Sequence, residues 1–357
     1  MSGPSMAGVA QAAGVGIGTV SRVINNSPLV RPETAAAVRQ VMAQLGYRPP
    51  APDRRRGPKV GRRRRPTAGG GVVLLIIGAQ GLRWVLDCAP VYATVLSGIE
   101  AALAQRGQQL AVRQAQNWDQ VAEIVAAGRT KGLIILGQDE PPGPMPAAVQ
   151  RLPKVWVMGS PRHGDMDHVQ PDHLTVGVMA GEYLVGRGHR RCAYLGVDDG
   201  SPARHVGFRC RGFCGVVEGA GGSVEVLLDS ALVSVSRGVN APDEAVLGRL
   251  MDRFAALPDR PTALLVEADM LAPSVYRHLS QRGIQPQQDV EIVTCNNERP
   301  YLVSLQPAPV VVDLHAEAIG RRAVDQLLWR LLHPREPRMR LMVEPLLVKP
   351  DEAVPGS

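Results

Sequence analysis

The chain has 357 residues, 45% of them hydrophobic, with 40 Lys and Arg against 33 Asp and Glu. This length predicts two or three domains of roughly 100–200 residues each. The composition is that of a globular protein, which excludes collagen, a coiled-coil rod and wholesale disorder. No apolar run approaches the roughly 18 residues of a membrane span. We expect no secretory leader and no membrane partner.

The positive charge is concentrated near the amino terminus. Residues 1–65 contain twelve basic and two acidic residues, a net charge of +10, which leaves −3 for residues 66–357. Such asymmetry indicates a polyanion partner for the amino-terminal part alone. A solvated charge run or a localisation tract is the alternative interpretation.

Three short helices are predicted over residues 5–46. Ser5 can cap the first helix, and Gly14 permits the left-handed turn that leads into the second. Pro32 suits the first turn of the third helix, and Gly46 ends it. The residues expected to face the core are Val20, Val23, Ile24, Val38, Val41, Met42 and Leu45. Two helices joined by a tight turn, the second with a polar face, indicate a helix-turn-helix.

The residues of these helices resemble the DNA-binding domain of LacI/GalR-type (lactose repressor family) transcriptional regulators. The matching segments are Val9–Val15, Thr19–Asn25, Pro32–Thr34 and Leu45–Pro49. The resemblance implies that the second helix enters the major groove of operator DNA. The positions that would read bases are Ile17, Gly18 and Arg22, and those that would contact phosphates are Ser5, Thr19, Ser21 and Asn25. Arg22 can donate two hydrogen bonds to guanine.

A connector rich in Pro, Gly and Arg follows at residues 49–70. Its composition predicts an extended charged segment without secondary structure. Relatives place here a hinge helix with a leucine that enters the minor groove. This sequence has no such leucine and offers Arg54, Arg55 and Arg56 instead. Two interpretations stay open: these arginines lie in a narrow A·T-rich minor groove, or they attract phosphates without sequence preference.

From residue 72 onward, predicted strands and helices alternate. The predicted strands are 72–77, 109–112, 132–136, 155–158, 192–197, 224–228, 263–267, 290–295, 310–314 and 341–348. The predicted helices are 90–106, 118–127, 173–186, 203–219, 242–256, 270–282 and 315–332. Repeated βα units predict parallel sheets covered by helices on both faces. Two such runs predict two lobes, with a ligand cleft at the carboxyl ends of the strands.

The resemblance to the LacI/GalR family continues through this part of the chain. The matching segments are Leu96–Glu100, Lys131–Ile135, Gly188–Gly196, Arg209–Phe213 and Pro258–Ala263. The expected fold class is an N-terminal all-α helix-turn-helix domain plus an α/β core of two Rossmann-like lobes, periplasmic-binding-protein-like, of type I. The expected domains are 1–48, the linker 49–70 and the core 71–357. Lobe one would comprise 71–168 plus 300–330, and lobe two 169–299 plus 331–350.

By position, the resemblance places four candidate ligand-binding residues in the cleft: Tyr92, Arg209, Asp269 and Asn296. Trp84 is added because an aromatic face suits the C–H surface of a sugar. Asn296 departs from the Asp that relatives usually have, which lowers the expected negative charge of the pocket. Arg209 could instead form an ion pair within its lobe, and Asn296 could simply form a turn.

No nucleotide-binding, hydrolase or metalloprotease motif is present, so we expect no enzyme activity and no cofactor. His163, Asp165, Asp167 and His168 fall together in one predicted loop, which fits a weak surface metal site or a solvated crossover. The five cysteines are scattered: Cys88, Cys192, Cys210, Cys214 and Cys295. Their spacing lacks a second metal-binding pair, and buried small hydrophobes in a reducing compartment are expected.

The sequence is therefore interpreted as a cytoplasmic, homodimeric repressor. It would bind a near-palindromic double-stranded operator under the control of a small effector, a sugar or sugar derivative. Effector binding would shift the lobes and, through them, the DNA-binding heads. Three alternatives stay open: a constitutive DNA-binding regulator with a non-functional pocket, a solute-binding protein, and an enzyme with an accessory DNA-binding domain.

Overall fold

The computed structural model describes residues 5–24, 30–47, 71–78, 81–82, 90–128, 130–137, 140–159, 166–198, 205–236 and 239–350. Among the residues singled out above, those outside this description are Asn25, Arg54, Arg55, Arg56, Trp84, Cys88, His163 and Asp165. The chain divides into two compact units, Met1–Thr67 and Ala68–Ser357.

The first unit contains three helices: α1 (Met6–Ala12), α2 (Ile17–Ile24) and α3 (Pro32–Gln44). Two predicted local features are confirmed. The Oγ of Ser5 accepts a hydrogen bond from the amide of Gly8 at 3.2 Å, and Gly14 adopts a φ of 66° in the turn between α1 and α2. Five small apolar side chains form the buried core: Val9, Ala10, Val20, Val23 and Val38. Leu45 was expected there but is 43% exposed, because it caps α3 beyond the buried face of that helix.

The second unit alternates strands and helices. Its strands are β1 (Val72–Ile77), β2 (Leu110–Ala115), β3 (Gly132–Gly137), β4 (Lys154–Met158), β5 (Asp167–Pro171), β6 (Arg191–Val197), β7 (Ser223–Asp229), β8 (Val233–Ser236), β9 (Val239–Pro242), β10 (Ala263–Val266), β11 (Glu291–Asn296), β12 (Val310–Asp313), β13 (Arg340–Val343) and β14 (Leu346–Val348). Its helices are α4 (Pro90–Gln105), α5 (Trp118–Ala127), α6 (Ala147–Gln150), α7 (His173–Gly186), α8 (His205–Gly219), α9 (Glu244–Ala255), α10 (Ala272–Gln281), α11 (Arg299–Leu302) and α12 (Ala316–Leu332).

Two six-stranded sheets define the two lobes. Sheet one has the order β13-β5-β4-β3-β1-β2, and sheet two has the order β14-β12-β11-β10-β6-β7. All pairings are parallel except that of β14 with β12. The apolar strands β1, β3 and β4 are buried along their whole length, as expected for parallel strands covered by helices on both faces.

The last fifty residues depart from the prediction. β12 belongs to lobe two, whereas α12 packs on strands of lobe one. The strand predicted at 341–348 is two strands, because β13 joins sheet one and β14 joins sheet two. Pro345 lies between them, and a proline cannot donate the amide hydrogen bond that would continue a ladder. The lobe boundaries expected at 300–330 and 331–350 are therefore wrong in this region.

Three strands, β5, β8 and β9, and the two short helices α6 and α11 were not predicted. β5 occupies residues expected in a loop, and β8 and β9 form an additional antiparallel hairpin. Asp167 of β5 is fully buried, and its Oδ1 lies 2.7 Å from Nη2 of Arg330 on α12. Burial alone would raise the pKa of Asp167, but hydrogen bonds from Arg330 and Gln326 lower it below its ordinary value. Asp167, one of the four residues considered for a surface metal site, therefore lies in a buried ion pair with Arg330.

Glycines let two helix pairs approach backbone to backbone, one pair in each lobe. In lobe one, a Cβ on Gly98 of α4 would lie 2.2 Å from the carbonyl oxygen of Glu317 on α12. In lobe two, a Cβ on Gly212 of α8 would lie 2.3 Å from the carbonyl oxygen of Leu174 on α7. A Cβ on Gly177 of α7 would in turn lie 2.0 Å from the carbonyl oxygen of Arg209. Only glycine fits at these contacts.

In the described part of the chain, no single helix has the length and hydropathy to cross a membrane, and α1 with α2 passes only as a pair bent by 108°.

The helix contact in lobe two leads to a prediction for two glycines of α8. Gly212→Ala should lower the free energy of unfolding by about 1–3 kcal/mol, because the added methyl group overlaps a backbone oxygen. Gly215→Ala is the matched control, since a Cβ there meets nothing within 4 Å. It should raise stability by roughly 0.5–1 kcal/mol through reduced chain entropy. Urea denaturation of both variants tests this, and equal effects would contradict the close-packing argument.

Candidate DNA-binding face and effector cleft

The second helix of the first unit exposes the residues that the sequence proposed for reading DNA. α2 buries Val20 and Val23, and it leaves Ile17 53% exposed. Gly18 and Arg22 are exposed as well. An exposed Ile and Arg on one short helix form a surface that can pack on a thymine methyl group and donate to a guanine.

The start of α2 differs from a side-chain-capped helix. The carbonyl of Gly16 accepts hydrogen bonds from the amide of Thr19 at 2.8 Å and that of Val20 at 3.3 Å. Gly16 has no side chain to accept from the exposed amides of the first turn. A DNA phosphate is an acceptor that suits a helix amino terminus of this kind. Thr19 and Ser21 are partly buried on the same helix.

In the second unit, Arg209 organises a buried polar cluster at the carboxyl ends of the strands of sheet two. Arg209 is 4% exposed. Its Nη2 donates to Oδ1 of Asn296 at 3.0 Å, its Nε donates to Nδ1 of His173 at 3.2 Å, and its Nη1 donates to the carbonyl oxygen of Glu267. These bonds connect α8 and α7 with the ends of β10 and β11. All three partners belong to lobe two, so contact of Arg209 with an effector stays a prediction.

Asn296 links this arginine to an acidic group. Its side-chain oxygen accepts from Arg209, and its Nδ2 donates to Oε2 of Glu298 at 3.1 Å. Asn296 and Asn297 adopt φ values of 109° and 64°, so the chain leaves β11 through two left-handed residues. Asn is among the residues that tolerate this region best. The turn-forming role and the cleft role of Asn296 are therefore compatible.

Two carboxyl groups are buried beside this turn. Asp269 is fully buried, and its Oδ2 accepts a hydrogen bond from the amide of Glu298 at 2.6 Å. Burial raises the pKa of Asp269 to about 8 and also raises the pKa of Glu298. Glu267 is 6% exposed, and its Oε2 accepts from the hydroxyl of Tyr194 at 3.3 Å. The raised pKa values make Asp269 and Glu298 less ionised than exposed carboxyl groups, which acts in the same direction as the lower negative charge expected from Asn296.

Glu298 also joins the two lobes. Its Oε1 accepts a hydrogen bond from the amide of Val91 at 3.0 Å, and this contact is buried. Val91 lies in the first turn of α4, which belongs to lobe one and has amides without partners inside the helix. The positive end of the helix dipole also favours a carboxylate there. A side chain of lobe two thus caps a helix of lobe one.

The structure brings Arg209, Asp269 and Asn296 together, as the family resemblance implied. Tyr92 follows Val91 and is 8% exposed within the hydrophobic cluster beneath the cleft. Sequence reasoning missed His173, Glu267 and Glu298. Glu267 is the last residue of the predicted strand 263–267, which is a positional signal, whereas nothing in the local sequence singled out His173 or Glu298. Within the described ranges, no group of three or more His, Cys, Asp or Glu side chains could hold a metal ion.

Comparison with known proteins gives consistent results for both units. Residues 5–50 match the DNA-binding profile of the lacI family of bacterial regulatory proteins, and residues 182–349 match a periplasmic binding protein-like domain. The ribose operon repressor of Escherichia coli K12 is 26% identical, over 97% of this chain and 98% of its own. The PurR repressor of Edwardsiella ictaluri is 28% identical, over 96% of this chain and 94% of its own.

A solved structure shares the fold along the whole chain. The transcriptional regulator CelR, in complex with cellobiose, superposes with a TM-score of 0.62 at 23% identity, covering 98% of this chain and 100% of that one. A helix-turn-helix unit followed by a two-lobed core with a polar cleft defines a DNA-binding transcriptional regulator. Residues 5–50 thus form a lacI-family domain and residues 182–349 a periplasmic binding protein-like domain, and the similar proteins named above are bacterial repressors.

The double role of Asn296 leads to a prediction. Asn296→Asp should lower the free energy of unfolding by about 1–3 kcal/mol, because the new carboxylate cannot donate to Glu298 and faces it as a like charge. Adding Glu298→Gln restores one donor and one acceptor at this contact. The double variant should regain most of the loss, with a coupling energy of about 0.5–3 kcal/mol. A double-mutant cycle by urea denaturation measures it, and additive effects would show that the two side chains do not interact.

Proposed function

We propose that this protein is a homodimeric repressor whose operator affinity is set by a small polyhydroxylated effector bound between the lobes of its core. The observation that carries the proposal is the buried network of Arg209, Asn296, Glu298 and the Val91 amide, because it places donors and acceptors where the lobes meet. The proposal assigns no reaction to the protein and places it in the cytoplasm with the chromosome.

The effector site is proposed around Arg209, Asp269 and Asn296, with Tyr92 and Trp84 at its margins. Carboxylate and amide oxygens accept hydrogen bonds from neighbouring hydroxyl groups, and a guanidinium donates to ring or hydroxyl oxygens. This donor and acceptor set suits a sugar or sugar derivative. Two similar proteins carry names that refer to sugars, the ribose operon repressor and the CelR–cellobiose complex.

The DNA-binding assignment is proposed residue by residue. Ile17, Gly18 and Arg22 read base edges in one half-site, and Ser5, Thr19, Ser21 and Asn25 contact phosphates. In the linker, Arg54, Arg55 and Arg56 add contacts to the DNA backbone or to the minor groove. A two-fold symmetric dimer then requires a near-palindromic operator. The proposed domains are the head 1–48, the linker 49–70 and the core 71–357.

The proposed coupling acts through the bond that joins the lobes. An effector that bonds to Arg209 or Asn296 competes with the hydrogen bond from Asn296 to Glu298. The bond from the Val91 amide to Glu298, which joins the lobes, then changes in strength. By linkage, the effector changes operator affinity by the same factor as the operator changes effector affinity. Either sign of control, induction or co-repression, is compatible with this geometry.

The effector assignment can be tested at Arg209. Arg209→Ala should abolish the response of operator binding to the active sugar in a panel of pentoses, hexoses and disaccharides. Binding to operator without sugar should persist, because Arg209 lies in the core. Arg211→Ala is the control, since it removes the same charge from the exposed face of the same helix. Fluorescence anisotropy of labelled operator measures both, and a full response of Arg209→Ala would remove this residue from the proposed site.

The DNA-reading assignment can be tested at Arg22. Arg22→Ala should reduce discrimination at one guanine of each half-site by about 1–3 kcal/mol, because the bidentate contact is lost. Arg39→Ala, on the exposed side of α3, should leave base preference unchanged. Selection of bound sequences from random DNA at fixed salt measures both variants. An unchanged selected motif for Arg22→Ala would contradict base reading by this residue.

A further inference from the structure

α8 carries two cysteines that the effector site does not use. Cys210 and Cys214 are four residues apart, so their side chains lie on the same face of the helix. Their sulfur atoms are 3.8 Å apart, and both residues are partly exposed. The other described cysteines, Cys192 and Cys295, are fully buried in the core.

The helix prevents the two sulfurs from forming a disulfide without unwinding. Side chains four residues apart on a helix have Cβ atoms about 5–6 Å from each other. A disulfide requires a Cβ separation of about 3.5–4.5 Å. The pair is therefore held as two separate thiols at a fixed distance.

That distance suits one ion bound between the sulfurs. A tetrahedral ion with metal–sulfur bonds of about 2.3 Å keeps its two sulfur ligands about 3.8 Å apart. The observed separation of 3.8 Å already matches this value. Both sulfurs can therefore bind the same ion while the helix keeps its geometry.

The chemistry of the pair also differs from that of the buried thiols. The hydrogen bond between the two thiols lowers the pKa of Cys210 and raises the pKa of Cys214, whereas burial raises the pKa of Cys192 to about 11 and that of Cys295 to about 12. The thiolate is the form that binds metals. Glu218, one further turn along α8, is exposed, and its negative charge raises the pKa of both thiols while it also attracts a cation.

We propose that Cys210 and Cys214 form a two-thiolate site for a soft divalent cation such as cadmium or zinc. Soft thiolate ligands favour such ions over Mg²⁺ or Ca²⁺. Binding would release the thiol protons, and the ion would keep positions for water or a small thiol. The site does not depend on the effector assignment.

The test is a titration of the reduced full-length protein with cadmium chloride, without oxygen. Cadmium–thiolate bonds give a charge-transfer absorption in the ultraviolet, and equilibrium dialysis gives the stoichiometry. We expect one ion per chain, with proton release that grows weaker as the pH rises. Cys210→Ser and Cys214→Ser should each abolish the tight binding and most of the absorption.

Cys192→Ala is the matched control and should bind cadmium as the original protein does, because that thiol is buried away from the pair. Circular dichroism checks that each variant is folded. Both serine sites are partly exposed on α8, so these substitutions should preserve the fold. Absence of saturable binding, or cadmium binding that persists unchanged in both serine variants, would overturn the proposal.

Discussion

A single buried carboxylate, that of Glu298, connects the parts of the core on which the proposed regulation depends. It accepts a hydrogen bond from lobe one at Val91 and another from Asn296 in lobe two. A carboxylate that is 7% exposed is costly unless it is hydrogen-bonded. Any change in the lobe arrangement that removes the Val91 amide must therefore supply another donor, and water or an effector hydroxyl can do so. This requirement makes the junction between the lobes responsive to what enters the cleft.

The glycine contacts explain how both ends of this junction are positioned. Gly98 lets α4 lie directly against α12, which fixes the helix whose first turn carries Val91. Gly177 packs against the backbone of Arg209, which fixes α8 against α7 in the other lobe. Backbone contacts of this kind leave little room for sliding, since protein interiors are close-packed. Each lobe can therefore move as a unit while the cleft groups keep their positions within it.

The sequence predicts most of this core because apolar strands and amphipathic helices carry local signals. In the first unit, the helix cap at Ser5 and the turn at Gly14 were recognisable because both depend on neighbouring residues alone. β5 could not be recognised, since Asp167 is buried only because Arg330, 163 residues away, neutralises it. Pro345 did carry a local signal for the break between β13 and β14. Glu298 carried none, because its partner is a backbone amide 207 residues earlier in the chain. Arg209 and Asp269 were found through family resemblance, and the residues alone did not single them out.

The carboxylate of Glu298 explains why an amide suits position 296, since the amide nitrogen of Asn296 donates to it. Relatives usually have Asp where this chain has Asn296, and taken alone the substitution suggests a weakened pocket. In the structure, the amide oxygen accepts from Arg209 while the amide nitrogen donates to Glu298. An aspartate at position 296 could accept a hydrogen bond from Arg209, but its negative charge would repel the carboxylate of Glu298. The carboxylate two residues further along the chain, that of Glu298, reaches the other lobe at the amide of Val91. Buried polar groups require partners whether or not a ligand binds, so this matching of donors and acceptors is first of all a requirement of stability.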